Sequence, residues 1–282
     1  VNRTFETGRT CAVAVVGGRD LARVAARYGE LFPQKSFDAG LYSSLALAGA
    51  FGSPWATAVE LRAINRASLL VFAVDRLIDE EAISREQVAA LVADCLAAAG
   101  GQAPASPAAA FLADLRGELA AGPELLTSWR DQLGHMLAAM TREWDWARSG
   151  PPPGPEEYVA NADSTGAYFI ALTHWIHTGQ ARGPRDLERL RPAGEAVQRY
   201  LRLLNDVATR RREARSGDLN AFTLGLSLGE VNERMTALTA RATELIGPLR
   251  EEHPRAAAYL DWQLHFSAGF YGLSDFWAEA AS

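Results

Sequence analysis

Eleven residues in the last third of the chain constrain it most: Leu203-Leu204-Asn205-Asp206-Val207-Ala208-Thr209-Arg210-Arg211-Arg212-Glu213. They contain neither glycine nor proline and read as helix. Asn205, Thr209 and Glu213 follow the spacing i, i+4, i+8. At about 100° per residue they drift only about 80° around the axis, so an amide carbonyl, a hydroxyl and a carboxylate share one helical face. By itself such a face would be a solvated polar stripe. Here it is entered from the apolar Leu201, Leu203 and Leu204, and Arg210, Arg211 and Arg212 place cations beside it. Three hard oxygen donors next to cations suit Mg²⁺, which takes oxygen ligands in an octahedron and often shares them with a substrate's phosphates.

A second oxygen-bearing stretch closes an apolar segment. The periodicity predicts a long central helix from about Trp55 to Asp79, most apolar around Leu69 to Val74. It ends in Asp75-Arg76-Leu77-Ile78-Asp79-Glu80-Glu81, where Asp75 and Asp79 stand at i and i+4 on one face, with Phe72 one turn deeper. Negative charge at a helix C-terminus opposes the helix dipole, and a bound cation would resolve that conflict.

The rest of the chain also reads as helix. Asp20 suits the N-cap of a first helix through Leu31, leaving residues 1–18 as a flexible N-terminal segment. Further helices are expected over 40–50, from Ser84 to Ala99, over 108–121, from Pro123 to Arg148, from Tyr158 to His177 with a kink at Ser164-Thr165-Gly166, over 187–213 and 229–249, and from Pro254 onward. No strand alternation and no repeat period is visible. The segment 150–155, Gly-Pro-Pro-Pro-Gly-Pro, is short enough to be a loop between helices.

Composition limits the function. With 282 residues and 48% hydrophobic side chains, the chain can build one large all-α domain spanning residues 1–282. A net charge of −6 argues against nucleic acid as the main partner. Cys11 and Cys95 are far apart and read as reduced thiols of a cytoplasmic protein. No run approaches the roughly 18 apolar residues of a membrane span.

Two oxygen-rich helical motifs about 130 residues apart in an all-helical chain resemble the class I terpene synthases, specifically the single-domain bacterial kind. In that family an Asp-Asp-x-x-Asp motif faces an Asn-Asp-x-x-Ser/Thr-x-x-x-Glu motif across a helical barrel, and together they hold three Mg²⁺ ions around a substrate diphosphate. The second motif is complete here: Asn205, Asp206, Thr209, Glu213. Arg212 matches a basic diphosphate contact of the family. The first motif departs, because Arg76 replaces its second aspartate. The family's upstream diphosphate-sensing arginine would fall at Ala162 or Asp163. Phe270 to Phe276 is similar to the family's closing segment, where a tyrosine, here Tyr271, can meet the diphosphate.

The resemblance implies an isoprenoid-synthase-type helical barrel and a lyase that ionises a C20 prenyl diphosphate, either linear geranylgeranyl diphosphate or a bicyclic labdane-type diphosphate. Asp75, Asp79, Asn205, Thr209 and Glu213 would hold the metal, Arg212 and Tyr271 the diphosphate. Aromatic faces, with Phe72, Tyr168, Trp175 and Phe266 as candidates, would line a dry cavity for the carbocation. The expected partners are the prenyl diphosphate and a second copy of the chain in a homodimer, with no membrane span. A squalene/phytoene-synthase-like condensing enzyme is the nearest alternative. It shares the Asp75-to-Asp79 pattern but needs a second aspartate four after Asp206, where Arg210 stands. A non-catalytic helical binding protein is the other alternative.

Overall fold

The computed structural model describes residues 2–148, 150–216 and 219–272, with residues 211–216 described by backbone alone. Among these residues the regular structure is entirely helical. The helices are α1 (Arg3–Arg27), α2 (Ala39–Gly52), α3 (Arg62–Arg76), α4 (Arg85–Ala99), α5 (Pro107–Glu118), α6 (Pro123–Arg148), α7 (Pro155–Asn161), α8 (Ala167–His177), α9 (Pro184–Ser216), α10 (Leu228–Glu252) and α11 (Pro254–Tyr271). A π-helical turn, Leu77–Glu81, follows α3, and a 3₁₀ turn, Ala162–Ser164, follows α7. No helix among the described residues is long and apolar enough to cross a membrane. The chain separates into two compact units: Val1–Gly134 with Phe169–Pro184, and His135–Tyr168 with Arg185–Ser282.

The first unit is organised on α3. Its residues Ala63, Ile64, Ala67, Leu69, Leu70, Val71, Ala73 and Val74 are buried, and the helix packs against α1, α2 and α5. Asn65 is buried where α1 and α2 approach. A Cβ on Gly17 would lie 2.8 Å from its Nδ2 and one on Gly49 2.6 Å from its Oδ1, so only glycines let both helices come this close. Trp129, fully buried, donates from Nε1 to Thr173 Oγ1 at 2.9 Å, giving its polar edge a partner inside the core.

In the second unit, Tyr158, Leu203, Ala221, Leu226 and Val231 form a buried cluster with Trp146, Val207 and Phe222 against it. Ser227 and Glu230 make a reciprocal capping box that starts α10. The α10–α11 pair is tied by Arg250 and Asp261 at 2.8 Å.

Three helix boundaries differ from the sequence expectation. The first helix starts at Arg3, capped by the Asn2 side chain, and takes in residues 3–18; Asp20 is an interior position that pairs with Arg66 at 3.0 Å. The long helix expected from Trp55 starts only at Arg62. Thr57-Ala58-Val59-Glu60 is a capping box: the Glu60 carboxylate accepts from Thr57 N and Oγ1, both at 2.8 Å, and Thr57 Oγ1 accepts from Glu60 N. That exchange closes a turn ahead of α3, whose own N-cap, Leu61, has no side-chain cap hydrogen bond, so the apolar periodicity read as one helix is a turn followed by a helix. The kink expected at Ser164-Thr165-Gly166 is a full break, closed by Gly166 at φ 140°, a backbone angle that favours glycine.

Candidate functional site

In the first unit, Asp75 is half-buried near the end of α3, and Asp79 is exposed within the π-helical turn. The turn is closed by Ala82 N–H donating to Leu77 O at 2.9 Å, an i to i+5 bond. Arg76, which stands where the family motif has its second acid, is turned inward. It is buried, donates from Nη1 to Glu81 Oε1 at 2.5 Å, and its guanidinium lies 5.8 Å from the Phe37 ring centre. Phe72 is half-buried one turn earlier, and Trp175 is fully buried on α8.

In the second unit, α9 carries the other motif without interruption. Asn205 is half-buried and Thr209 is buried. Thr209 Oγ1 donates to the Asn205 carbonyl at 2.7 Å. The hydroxyl proton is thereby committed to the backbone, which leaves the oxygen's lone pairs as its remaining chemistry. That is the state a metal ligand needs, so the donor set fits Mg²⁺. The backbones of Arg212 and Glu213 lie within α9, but their side chains are outside the described residues. Among the described residues no three His, Cys, Asp or Glu side chains gather as a metal cluster.

Asp206, between these donors, does a different job. It is fully buried. Its carboxylate accepts from the Tyr158 hydroxyl at 3.0 and 2.9 Å and from Ala221 N at 3.1 Å, and it pairs with Arg202 Nε at 3.2 Å. Arg202 also donates to Tyr158 Oη at 2.6 Å and to Glu143 at 2.9 Å. Asn220 Nδ2 donates to the Asp206 carbonyl at 3.0 Å. Burial raises the Tyr158 hydroxyl well above its usual pKa, so it stays a donor. The network fastens α7, α6 and the segment after α9 to the helix that carries the motif. The sequence does not single out Arg202, Tyr158 or Glu143 as polar partners of the motif, although the i, i+4 spacing of Arg202 and Asp206 signals the ion pair. Arg210 is stacked on Phe222, 4.3 Å from the ring centre.

The helix break holds further polar side chains that the sequence does not single out. At one of the two positions where the family's sensing arginine would fall, Asp163 accepts from Arg199 Nη2 of α9 at 3.1 Å. Gln198 accepts from Tyr168 N at 3.0 Å and donates to Thr165 Oγ1 at 3.2 Å. Tyr168 is buried with its ring against α9, where a Cβ on Gly194 would come within 2.2 Å of Cδ2. On α11, Phe266 is half-buried in a ladder with Trp262 and Phe270, at ring separations of 4.2 and 5.8 Å. Tyr271 is half-buried at the end of the same helix, edge-on to Phe270. The aromatic positions beyond residue 272, Phe276 included, lie outside the described residues.

Comparison with known proteins gives one consistent answer. The family model described as "Terpene synthase family 2, C-terminal metal binding" matches residues 66–225, a span that includes both motifs. Ent-pimara-9(11),15-diene synthase of Streptomyces sp. (strain KO-3988) is 26% identical over 268 residues, covering 91% of this chain and 89% of the relative. Among solved structures, the 2-methylisoborneol synthase of Streptomyces coelicolor A3(2), in complex with Mg²⁺ and geranyl-S-thiolodiphosphate, shares the fold with a TM-score of 0.72 at 19% identity, over 91% of each chain. The linalool/nerolidol synthase of Streptomyces clavuligerus, in complex with 2-fluorogeranyl diphosphate, has a TM-score of 0.71 at 17% identity, over 90% of this chain and 94% of that one. The condensing-enzyme and binding-protein alternatives are thereby set aside. The fold is that of the class I terpene synthases, and the chain belongs to this family of lyases that act on prenyl diphosphates.

Proposed function

We propose that the enzyme is a diterpene synthase: it ionises a C20 prenyl diphosphate, cyclises the resulting carbocation and releases diphosphate. The observation that carries the C20 assignment is the relationship to a pimaradiene synthase along nine-tenths of both chains, since a pimaradiene is a C20 hydrocarbon. The reading takes both units as one catalytic domain and both motifs as serving one substrate's diphosphate. Their joint inclusion in a metal-binding family region supports this. It also places the enzyme in the cytoplasm, in keeping with two unpaired cysteines, and expects it to act as a homodimer.

In this reading Asn205, Thr209 and Glu213 supply one set of ligands and Asp75 and Asp79 the other, for three Mg²⁺ ions. Bound Mg²⁺ supplies the positive charge that stabilises the leaving diphosphate as the C–O bond breaks. Arg212 and Tyr271 bind the diphosphate oxygens. Phe72, Tyr168, Trp175 and Phe266 present aromatic faces, which stabilise a carbocation without attacking it and keep water away.

The test is product analysis. The protein is incubated with Mg²⁺ and, separately, geranyl, farnesyl, geranylgeranyl and a bicyclic labdane-type diphosphate, and the extract is read by gas chromatography–mass spectrometry. A cyclic C20 hydrocarbon or alcohol is expected from one of the last two. Turnover confined to the C10 or C15 substrates would overturn the C20 assignment, and no turnover of any would overturn the site assignment with it.

A further inference from the structure

The residue that breaks the first motif, Arg76, makes a contact that an α-helix does not permit. Residues five apart on an α-helix are separated by about 500°, so their side chains point about 140° away from each other. Arg76 and Glu81 are five apart, yet they meet at 2.5 Å. They meet because the backbone between them is π-helical. The wider winding, fixed by the Leu77-to-Ala82 bond, turns through fewer degrees per residue and returns Glu81 to the side of Arg76. The same underwinding acts on the two acids. In an α-helix Asp79 would overshoot Asp75 by about 40°; in the wider turn it overshoots by less. The two ends of the pair are unequal. The Arg76 side chain is 7% exposed and anchored over Phe37, whereas Glu81 is 50% exposed. The buried cation is therefore the post to which the exposed end of the turn is tied.

We propose that Arg76 and Glu81 form a clasp that holds the π-helical turn and so sets the register of Asp75 and Asp79. Arg76 is then a positioning residue. The motif has exchanged a third acid for a cation that fixes the geometry of the remaining two. The inference rests on the reading of Asp75 and Asp79 as Mg²⁺ ligands.

The experiment uses the full chain with inorganic diphosphate as probe, so that no turnover is needed. Thermal stabilisation by Mg²⁺ plus diphosphate is titrated against Mg²⁺ for the wild type, Asp75→Ala, Glu81→Ala, Arg76→Met and the Arg76→Met/Glu81→Ala double variant. Arg76→Met keeps apolar bulk over Phe37 if deletion of the buried side chain prevents folding. Loss of an outer residue that orients ligands costs about 10–100-fold in metal affinity. Glu81→Ala is therefore expected to raise the half-saturating Mg²⁺ by that factor, with the melting temperature in the absence of Mg²⁺ nearly unchanged. The double variant should be no worse than Arg76→Met alone, because both remove one contact. If Asp75→Ala abolishes the stabilisation while Glu81→Ala leaves the Mg²⁺ dependence unchanged, the clasp is overturned and the ligand reading stands. A lower melting temperature with the same Mg²⁺ dependence assigns the pair a purely structural role and overturns the clasp as well. If Asp75→Ala changes nothing, the ligand reading falls and the clasp with it.

Discussion

The two oxygen-rich motifs, each in its own unit, are built in opposite ways. The second is carried on α9, an unbroken helix of 33 residues. The acid within it, Asp206, is spent on holding the helix in place through Tyr158, Arg202 and the backbone of Ala221. The donors Asn205 and Thr209 therefore stand on a rigid support. The first motif straddles a change of helix type spanned by one ion pair with an exposed end, the proposed clasp on its register. Buried, hydrogen-bonded charge rigidifies where it is satisfied, whereas a half-exposed pair is screened and contributes little to stability. The difference separates two uses of charge: in the second motif for the fold, in the first for local geometry.

The largest expected effect tests that separation directly. Asp206→Ala removes the carboxylate that Tyr158, Arg202 and Ala221 N address, and should lower unfolding stability by about 3–5 kcal/mol. The value should fall toward the lower end because Glu143 still pairs with Arg202 at 2.9 Å. Glu81→Ala should cost less than about 1 kcal/mol by the same urea titration. Equal losses would erase the contrast between the motifs.

Next come the donors themselves. Asn205→Ala and Asp75→Ala should each cut turnover by about 10²–10³-fold or more, since each removes a group that stabilises charge developing on the leaving diphosphate. Far-ultraviolet circular dichroism should be unchanged in both, because neither side chain belongs to the buried clusters. Asn205→Ala should be the more damaging, as the second motif is the complete one. A larger loss from Asp75→Ala would show that the degraded motif carries more of the diphosphate than its sequence suggests.

How much of this was legible in the sequence follows from the range of the forces involved. The face shared by Asn205 and Thr209 is a matter of local helical geometry, and three residues suffice to see it. The all-α class is equally local, being periodicity without strand alternation. The late start of α3 was not readable: Thr57 to Glu60 spells a capping box that would start a helix at Ala58, whereas the chain makes a turn there and α3 begins at Arg62 without a side-chain cap. The π turn was not readable: the Arg76 side chain that borders it lies over Phe37, a contact across 39 positions that no window of helical spacing contains. The burial of Asp206 needed Tyr158 and Glu143, distant in sequence for the same reason. The start of α1 shows the converse failure. Asp20 has the chemistry of an N-cap, but its carboxylate is claimed by Arg66 from a different helix, and Asn2 caps instead.

The effect hardest to isolate, because it is read as a difference between two pH-induced shifts, distinguishes the units by their response to acid. The unit that carries Asp75 contains His174, fully buried on α8 with Nε2 2.9 Å from Ser53 Oγ. Burial, and then the neighbouring His177, lower its pKa from 6.5 to about 4. The unfolded chain therefore takes up this proton near pH 6.5, while the folded protein resists it until about pH 4. The associated stability is present in full above pH 6.5 and is lost as the pH falls toward 4, by up to about 3 kcal/mol at 1.36 kcal/mol per unit. His174→Gln keeps a hydrogen-bonding group toward Ser53 and has no proton to gain. Urea midpoints measured at pH 6.5 and 4.5 should fall further in the wild type than in His174→Gln, and the difference should persist in an Asp206→Asn background, because it originates in the other unit. An equal fall in both proteins would assign the acid response to carboxylates instead. A difference that vanished with Asp206→Asn would show that the two units do not unfold independently of each other's buried polar groups.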